Sequence, residues 1–202
     1  MTHPIPRRTP RSIARLVLAL VAAVSPGLTL AHPGHAEQAG FLPGALHPLT
    51  GIDHLLAMLA VGLWAAQLRQ RAALMLPALF PVAMVAGAAL AFAGVALPAV
   101  EPVIALSVIV LGTAIVAGLQ LPLAAGGAMI ALFAVAHGFA HGAELPAGAN
   151  VAGYAAGFIG STICLHLAGL FLGMADQRRR GGQLLRIGGS AIAVSGLALL
   201  LA

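Results

Sequence analysis

Beyond Gly40 the chain is a succession of apolar stretches, each ended by Pro, Gly or Arg and each near the roughly 20 residues a helix needs to cross a bilayer core. A span in lipid must satisfy its own backbone polar groups, so these stretches are expected to be helical. The pattern predicts helices at about 48–68, 72–97, 102–119, 123–142, 151–174 and 184–202. The expected fold is therefore an all-α integral membrane protein, a six-transmembrane-helix bundle occupying 48–202. The first thirty residues read differently. Arg7, Arg8, Arg11 and Arg15 precede an apolar run from Leu16 to Val24, followed by a small-residue tail ending Thr29-Leu30-Ala31. That is the pattern of a cleavable N-terminal signal peptide over 1–31, the alternative being an uncleaved anchor extended through Leu30. Arg7-Arg8 lacks the hydrophobic residues a twin-arginine signal carries after the pair, which favours ordinary secretion. Residues 32–47 would then form a histidine-containing outer, periplasmic arm opening His32-Pro33-Gly34-His35.

Composition agrees with the pattern. Hydrophobic residues make up 60% of the 202, against about 45–50% in soluble domains, and only 7% are charged. The formal net charge of +5 comes from ten arginines and five acidic residues, but the arginines fall into separate clusters rather than one face. This argues against nucleic acid and for topology signals. With the mature N-terminus outside, the inner loops carry Arg69, Arg71, Arg178, Arg179, Arg180 and Arg186; the outer segments carry Glu37, Glu101 and Glu144 and no arginine. Both termini of the mature chain are thus expected outside. The lone Cys164 excludes an intramolecular disulfide, and without lysine there is no phosphate-binding Gly-x-x-x-x-Gly-Lys loop, hence no nucleotide. Gly138/Gly142, Gly153/Gly157 and Gly169/Gly173 have the spacing that lets helices approach closely, and Pro77 and Pro81 should bend the second span.

Against this background two clusters stand out: His47-Pro-Leu-Thr-Gly-Ile-Asp53-His54, and His137-Gly-Phe-Ala-His141-Gly-Ala-Glu144. An ionisable side chain at membrane depth costs about 2.5–3.5 kcal/mol or more unless paired. On one helix, His47 and His54 would share a face roughly 10 Å apart along the axis, with Pro48 in the first helical position and His47 at the cap. His137 and His141 stand one turn apart on one face, the spacing for two imidazoles on one ion, and Glu144 continues the stripe. The first span runs inward and the fourth outward, so both clusters fall at a similar depth near the outer surface. Adjacent helices would then assemble one outward-facing site from His47, Asp53, His54, His137, His141 and Glu144. Imidazole with carboxylate and no thiolate suits borderline divalent ions such as Ni²⁺, Co²⁺ or Zn²⁺. Asp53 could be a direct ligand or the acceptor that fixes an imidazole tautomer. His166, alone in the fifth span, is either an interhelical hydrogen-bond donor or a deeper waypoint. His32 and His35 are either a metal-collecting tether or a solvated tail.

At these residues the chain resembles the HupE/UreJ family of small nickel/cobalt permeases. The family's first motif, a histidine, five residues and Asp-His, reads His47 to Asp53-His54. Its second, Phe-His-Gly-x-Ala/Val-His-Gly-x-Glu, reads Ala136 to Glu144, with Ala136 in place of the phenylalanine. The resemblance implies uptake of Ni²⁺ or Co²⁺ across a bacterial inner (cytoplasmic) membrane, linked to hydrogenase or urease supply. It implies facilitated diffusion or secondary transport with no tightly bound cofactor and no enzymatic activity, and is compatible with a homo-oligomer. The competing expectation is an intramembrane zinc-dependent hydrolase, which would also bury His and Asp ligands. Against it, the chain lacks His-Glu-x-x-His, and Ser107, the conspicuous hydroxyl of the third span, reads as a packing residue. A metal-sensing accessory protein would need a signalling surface that the short loop around Arg178 to Arg180 hardly offers.

Overall fold

Among the described residues of the computed structural model seven helices follow one another: α1 (Phe41–Thr50), α2 (Ile52–Ala65), α3 (Gln70–Phe92), α4 (Val100–Ala117), α5 (Leu123–Glu144), α6 (Val151–Arg180) and α7 (Gln183–Leu201). The structure describes residues 40–202 except 69 and 147; the expected signal peptide, His32 and His35 lie outside the described residues. Helices α3 to α7 are each long and apolar enough to cross a membrane, whereas α1 and α2 meet that test only together, as a pair bent by 81°. Large apolar side chains such as Leu74, Val82, Leu132 and Phe171 are exposed on the flanks, where lipid rather than water is the fitting neighbour. The protein is a multi-pass, all-helical membrane protein.

The single helix expected over 48–68 is two helices instead. Pro48 does not open a helix but lies inside α1, which begins seven residues earlier at Phe41, within the stretch expected to be an outer arm. Pro43 sits in the first turn of α1, where a missing N–H is tolerated. At the other end the Thr50 hydroxyl donates back to the carbonyls of Leu46 and His47. Gly51 then takes an extended conformation (φ −78°, ψ 113°). Its N–H donates to His47 O at 3.0 Å and its carbonyl accepts from Leu55 N–H at 2.9 Å, so one residue closes both helices without leaving its backbone groups unpaired. Any residue can adopt that φ; the glycine supplies space, because a Cβ there would stand 3.2 Å from both Asp53 Oδ1 and His54 Nδ1.

Helix α2 is the centre of the bundle, with Ala57, Met58, Ala60, Trp64 and Ala65 fully buried. Around it the closest pairings are α3 with α5, α4 with α7, and α6 with both α1 and α2. Glycines set these contacts. A Cβ on Gly138 would collide with the Met84 carbonyl, one on Gly87 with that of Val135, and one on Gly142 would stand 2.8 Å from that of Ala88, so α3 and α5 pack backbone to backbone. Gly157 is needed in the same way against Phe41, and Gly62 and Gly169 bring α2 and α6 together. Gly153 does not join this pattern: it sits against Asn150, whose side chain caps α6 by accepting from Gly153 N–H.

At the opposite end of α6 from Tyr154 stand Arg178, Arg179 and Arg180. Here α2 is tied to α4 by Trp64 Nε1 donating to Leu119 O and Gln67 Nε2 donating to Ile115 O. Asp176, buried just before the arginines, accepts from Leu185 N–H at 2.9 Å and so caps the start of α7. Replacing Gly138 by Ala should lower the stability of the purified protein by about 1–3 kcal/mol, seen as a lower melting temperature in detergent. Gly160 in α6 has open space around it; Gly160→Ala should leave melting unchanged or raise it. Equal behaviour of the two variants would contradict the packing described.

Candidate metal centre

Two short motifs far apart in sequence converge because α1 folds back over α2. The turn at Gly51 places the His47 ring 5.7 Å from that of His54 and 4.6 Å from that of His141, centroid to centroid. On a continuous helix His47 would have lain two turns away from His54 along the axis. Each of the three imidazoles offers a ring nitrogen, and these three atoms lie within 4.8 Å of one another. His54 and His141 are buried and His47 is partly so.

Asp53 stands in the first turn of α2, where a carboxylate is favoured by the helix N-terminus. Its Oδ1 accepts from the His54 backbone N–H at 2.8 Å and from His54 Nδ1 at 2.7 Å. That contact assigns the His54 tautomer: Nδ1 carries the proton and Nε2 the lone pair. His54 Nε2 and His141 Nε2 are 2.6 Å apart, so the His141 nitrogen must donate the hydrogen of that contact. Asp53 thus orients the His54 ring and is not itself part of the three-nitrogen cluster, a relation like that found behind metal-bound histidines.

His137 lies one turn along α5 from His141, toward the arginine end. Its ring centroid is 4.9 Å from that of His54, its Nδ1 donates to Phe133 O at 2.9 Å, and its Nε2 is buried without a partner among the described residues. It thus presents a free lone pair immediately below the three-nitrogen cluster. Glu144, at the end of α5, has its carboxylate 4.0 Å from His141 Nδ1 and a side chain 65% exposed. It stands at the rim, one step outside the imidazoles. Of the six residues expected to form one site, then, His47, His54 and His141 cluster tightly, Asp53 and His137 flank them, and Glu144 marks the mouth. His166 is separate; its Nδ1 faces Pro77 O at 3.1 Å.

The wall is aromatic, which the motifs did not announce. The Phe158 ring lies 4.4 Å from that of His141 and 5.9 Å from that of His47, and Tyr154 one turn away lies 6.2 Å from His47. Only 4% of the residues are aromatic, so an i, i+4 pair beside Gly157 was the available signal in the sequence. A cavity of about 220 Å³ between α3, α5 and α6 reaches His141 from the side, past Gly138, Gly142, Tyr154 and Phe158.

The chain matches the family described as HupE / UreJ protein over residues 18–199. It belongs to the HupE/UreJ family. The protein HupE of Rhizobium leguminosarum bv. viciae is 38% identical over 188 residues, covering 93% of this chain and 97% of that protein. No solved structure matches. For a centre of this design, Asp53→Asn should weaken Co²⁺ binding to the purified protein about 10–100-fold by loosening His54. His141→Ala, which removes one of the three clustered nitrogens, should weaken it further. Isothermal titration of both variants checks the order, and an unchanged affinity in His141→Ala would contradict the assignment.

Proposed function

We propose that this HupE/UreJ protein is a permease that takes up Ni²⁺ or Co²⁺, by facilitated diffusion or secondary transport, through an outward-facing site at His47, His54 and His141. The observation that carries the reading is the convergence of three imidazole nitrogens within 4.8 Å, on separate elements of a membrane bundle in this family. An imidazole set without thiolate favours borderline divalent ions. The bent pair α1–α2 counts as one span in this reading, which gives six spans with the arginines of Arg178 to Arg180 on the cytoplasmic side. The mature termini then lie on the periplasmic side of a bacterial inner membrane. With the signal peptide over 1–31 removed, an arm bearing His32 and His35 would deliver cations to the mouth beside Glu144.

The α2 helix of 14 residues is only about 21 Å long, so Asp53 and His54 at its start lie below the outer face of a core roughly 30 Å thick. A cation reaching them has shed part of its water, and the imidazoles replace it. For both Nε2 lone pairs to ligate, the His141 proton would pass from Nε2 to the ring's own Nδ1, which faces the Glu144 carboxylate at 4.0 Å. His137 offers the next nitrogen inward. A hydrolase would need a free base beside the metal. The Asp53 carboxylate is engaged by His54, and Ser107 donates its hydroxyl to Ile104 O at 2.6 Å within its own helix. Exchangeable occupancy suits transport better than a closed catalytic site.

Cells producing the protein should accumulate radiolabelled Ni²⁺ or Co²⁺ at least tenfold faster than cells carrying Asp53→Ala or His137→Ala at equal membrane abundance. Wild-type rates in either variant would overturn the reading. Adding an uncoupler separates the energetics: uptake that survives it excludes obligatory coupling to a proton gradient.

A further inference from the structure

His166 is the one histidine of the described residues that stands outside the outer group. It lies in the middle of α6, eight residues and thus about 12 Å beyond Phe158 toward the arginine end. It is 3% exposed. Its Nδ1 meets the carbonyl of Pro77, and the reason that carbonyl is free is local: its helical donor would be residue 81, which is a proline. The contact makes Nδ1 the protonated nitrogen. His166 Nε2 therefore carries a lone pair, and it is buried with no partner among the described residues. His137 repeats the arrangement, with Nδ1 donating to a backbone carbonyl and Nε2 buried and unpartnered. Between the two rings lies Phe80, fully buried, with centroids 5.6 Å from His137 and 5.3 Å from His166.

Capping a proline-freed carbonyl needs a donor only; any amide would do it. An imidazole that in addition keeps an unpaired acceptor in a dry interior is held at a cost of about 1–3 kcal/mol for that acceptor, unless it has a ligand to receive. Both His137 and His166 are in the protonation state that ligates a metal, and a backbone carbonyl orients each of them. A cavity of about 290 Å³ adjoins His166 between α3 and α6, lined by Pro77, Pro81 and Leu170 among others.

We propose that His166 Nε2 is a second, inner coordination point for the transported cation, separated from the outer imidazoles by the Phe80 ring. The inference rests on the transport reading above and deepens it. A cation leaves His137 when the Phe80 ring moves aside and is received by His166. The aromatic ring keeps the outer and inner points from forming one continuous wet channel. The energetic need for His166 to be a histidine, rather than any donor, lies in that second nitrogen.

The test separates the two nitrogens. Asn places its amide donor near the position of Nδ1 and supplies no imidazole, so His166→Asn keeps the bond to Pro77 and removes the ligand. Pro81→Ala restores a backbone N–H to Pro77 and relieves His166 of that duty, so His166→Ala is measured in the Pro81→Ala background. Expected are Ni²⁺ affinities of the purified proteins within threefold of their parents, because the outer site is intact, and initial uptake rates at least tenfold below their parents. Parental uptake in either His166→Asn or Pro81→Ala/His166→Ala would overturn the inner point and leave the transport reading standing. No Ni²⁺ or Co²⁺ uptake by the wild-type protein would instead overturn the transport reading, and the inner point with it.

Discussion

The turn at Gly51 governs this protein because the histidine cluster depends on the chain turning sharply inside an apolar bundle. Backbone polar groups cannot be left open there, and a break normally frees several of them. Here one extended residue donates to His47 O and accepts from Leu55 N–H, so the chain changes direction by 81° with its bonds intact at the corner. The missing side chain at the corner then leaves room for the Asp53 carboxylate and the His54 ring to lie together beside it. Turn and site are thus one construction. Moving α1 away from α2 would remove His47 from the cluster, and crowding the corner would disturb the pair that orients His54.

Close helix contacts hold that corner against the bundle. Gly44 lets α1 settle on the Tyr154 backbone of α6, Gly157 returns the contact at Phe41, and the Ser161 hydroxyl donates to Ala45 O at 2.6 Å. On the other side, Gly138 and Gly142 follow directly after His137 and His141 and bring α3 against α5. The same residues that shape the motif for chemistry therefore determine which helices can stand beside it. Helix α5 meets α2 differently, through the side chains of its histidines rather than by backbone approach.

Histidine tautomers give the interior a direction. Asp53 Oδ1 accepts from His54 Nδ1 and so holds the proton there, as Phe133 O does for His137 and Pro77 O for His166. Each assignment leaves Nε2 as the acceptor, and the rings succeed one another from the outer cluster through His137 and past Phe80 toward the middle of the bundle. Neutral imidazoles with oriented lone pairs are less costly to bury than charges, yet they bind divalent ions strongly enough to compensate for lost water. Where a helical proline frees a carbonyl, as at Pro77, that carbonyl becomes the orienting group.

The sequence by itself determined the class of the protein and the places of five long spans, and it singled out the histidines that the fold brings together. These follow from local quantities: apolar run length, one-turn spacing on a helix, and the cost of putting His and Asp in lipid. Asp53 was legible both as ligand and as orienter, and its contact with His54 Nδ1 is the observation that fits the second. The first span was misread because Pro48 suits a helix start as well as it suits a place inside α1. Nothing local to residues 41–51 reveals that α6 offers Gly157 and Tyr154 for α1 to pack against. The aromatic wall of Phe158 and the Phe80 ring between His137 and His166 were equally hidden, since each belongs to a helix other than those carrying the motifs. Tertiary structure alone decided which of the six expected residues converge, because convergence depends on the angle at one glycine and on helix contacts far from it in sequence.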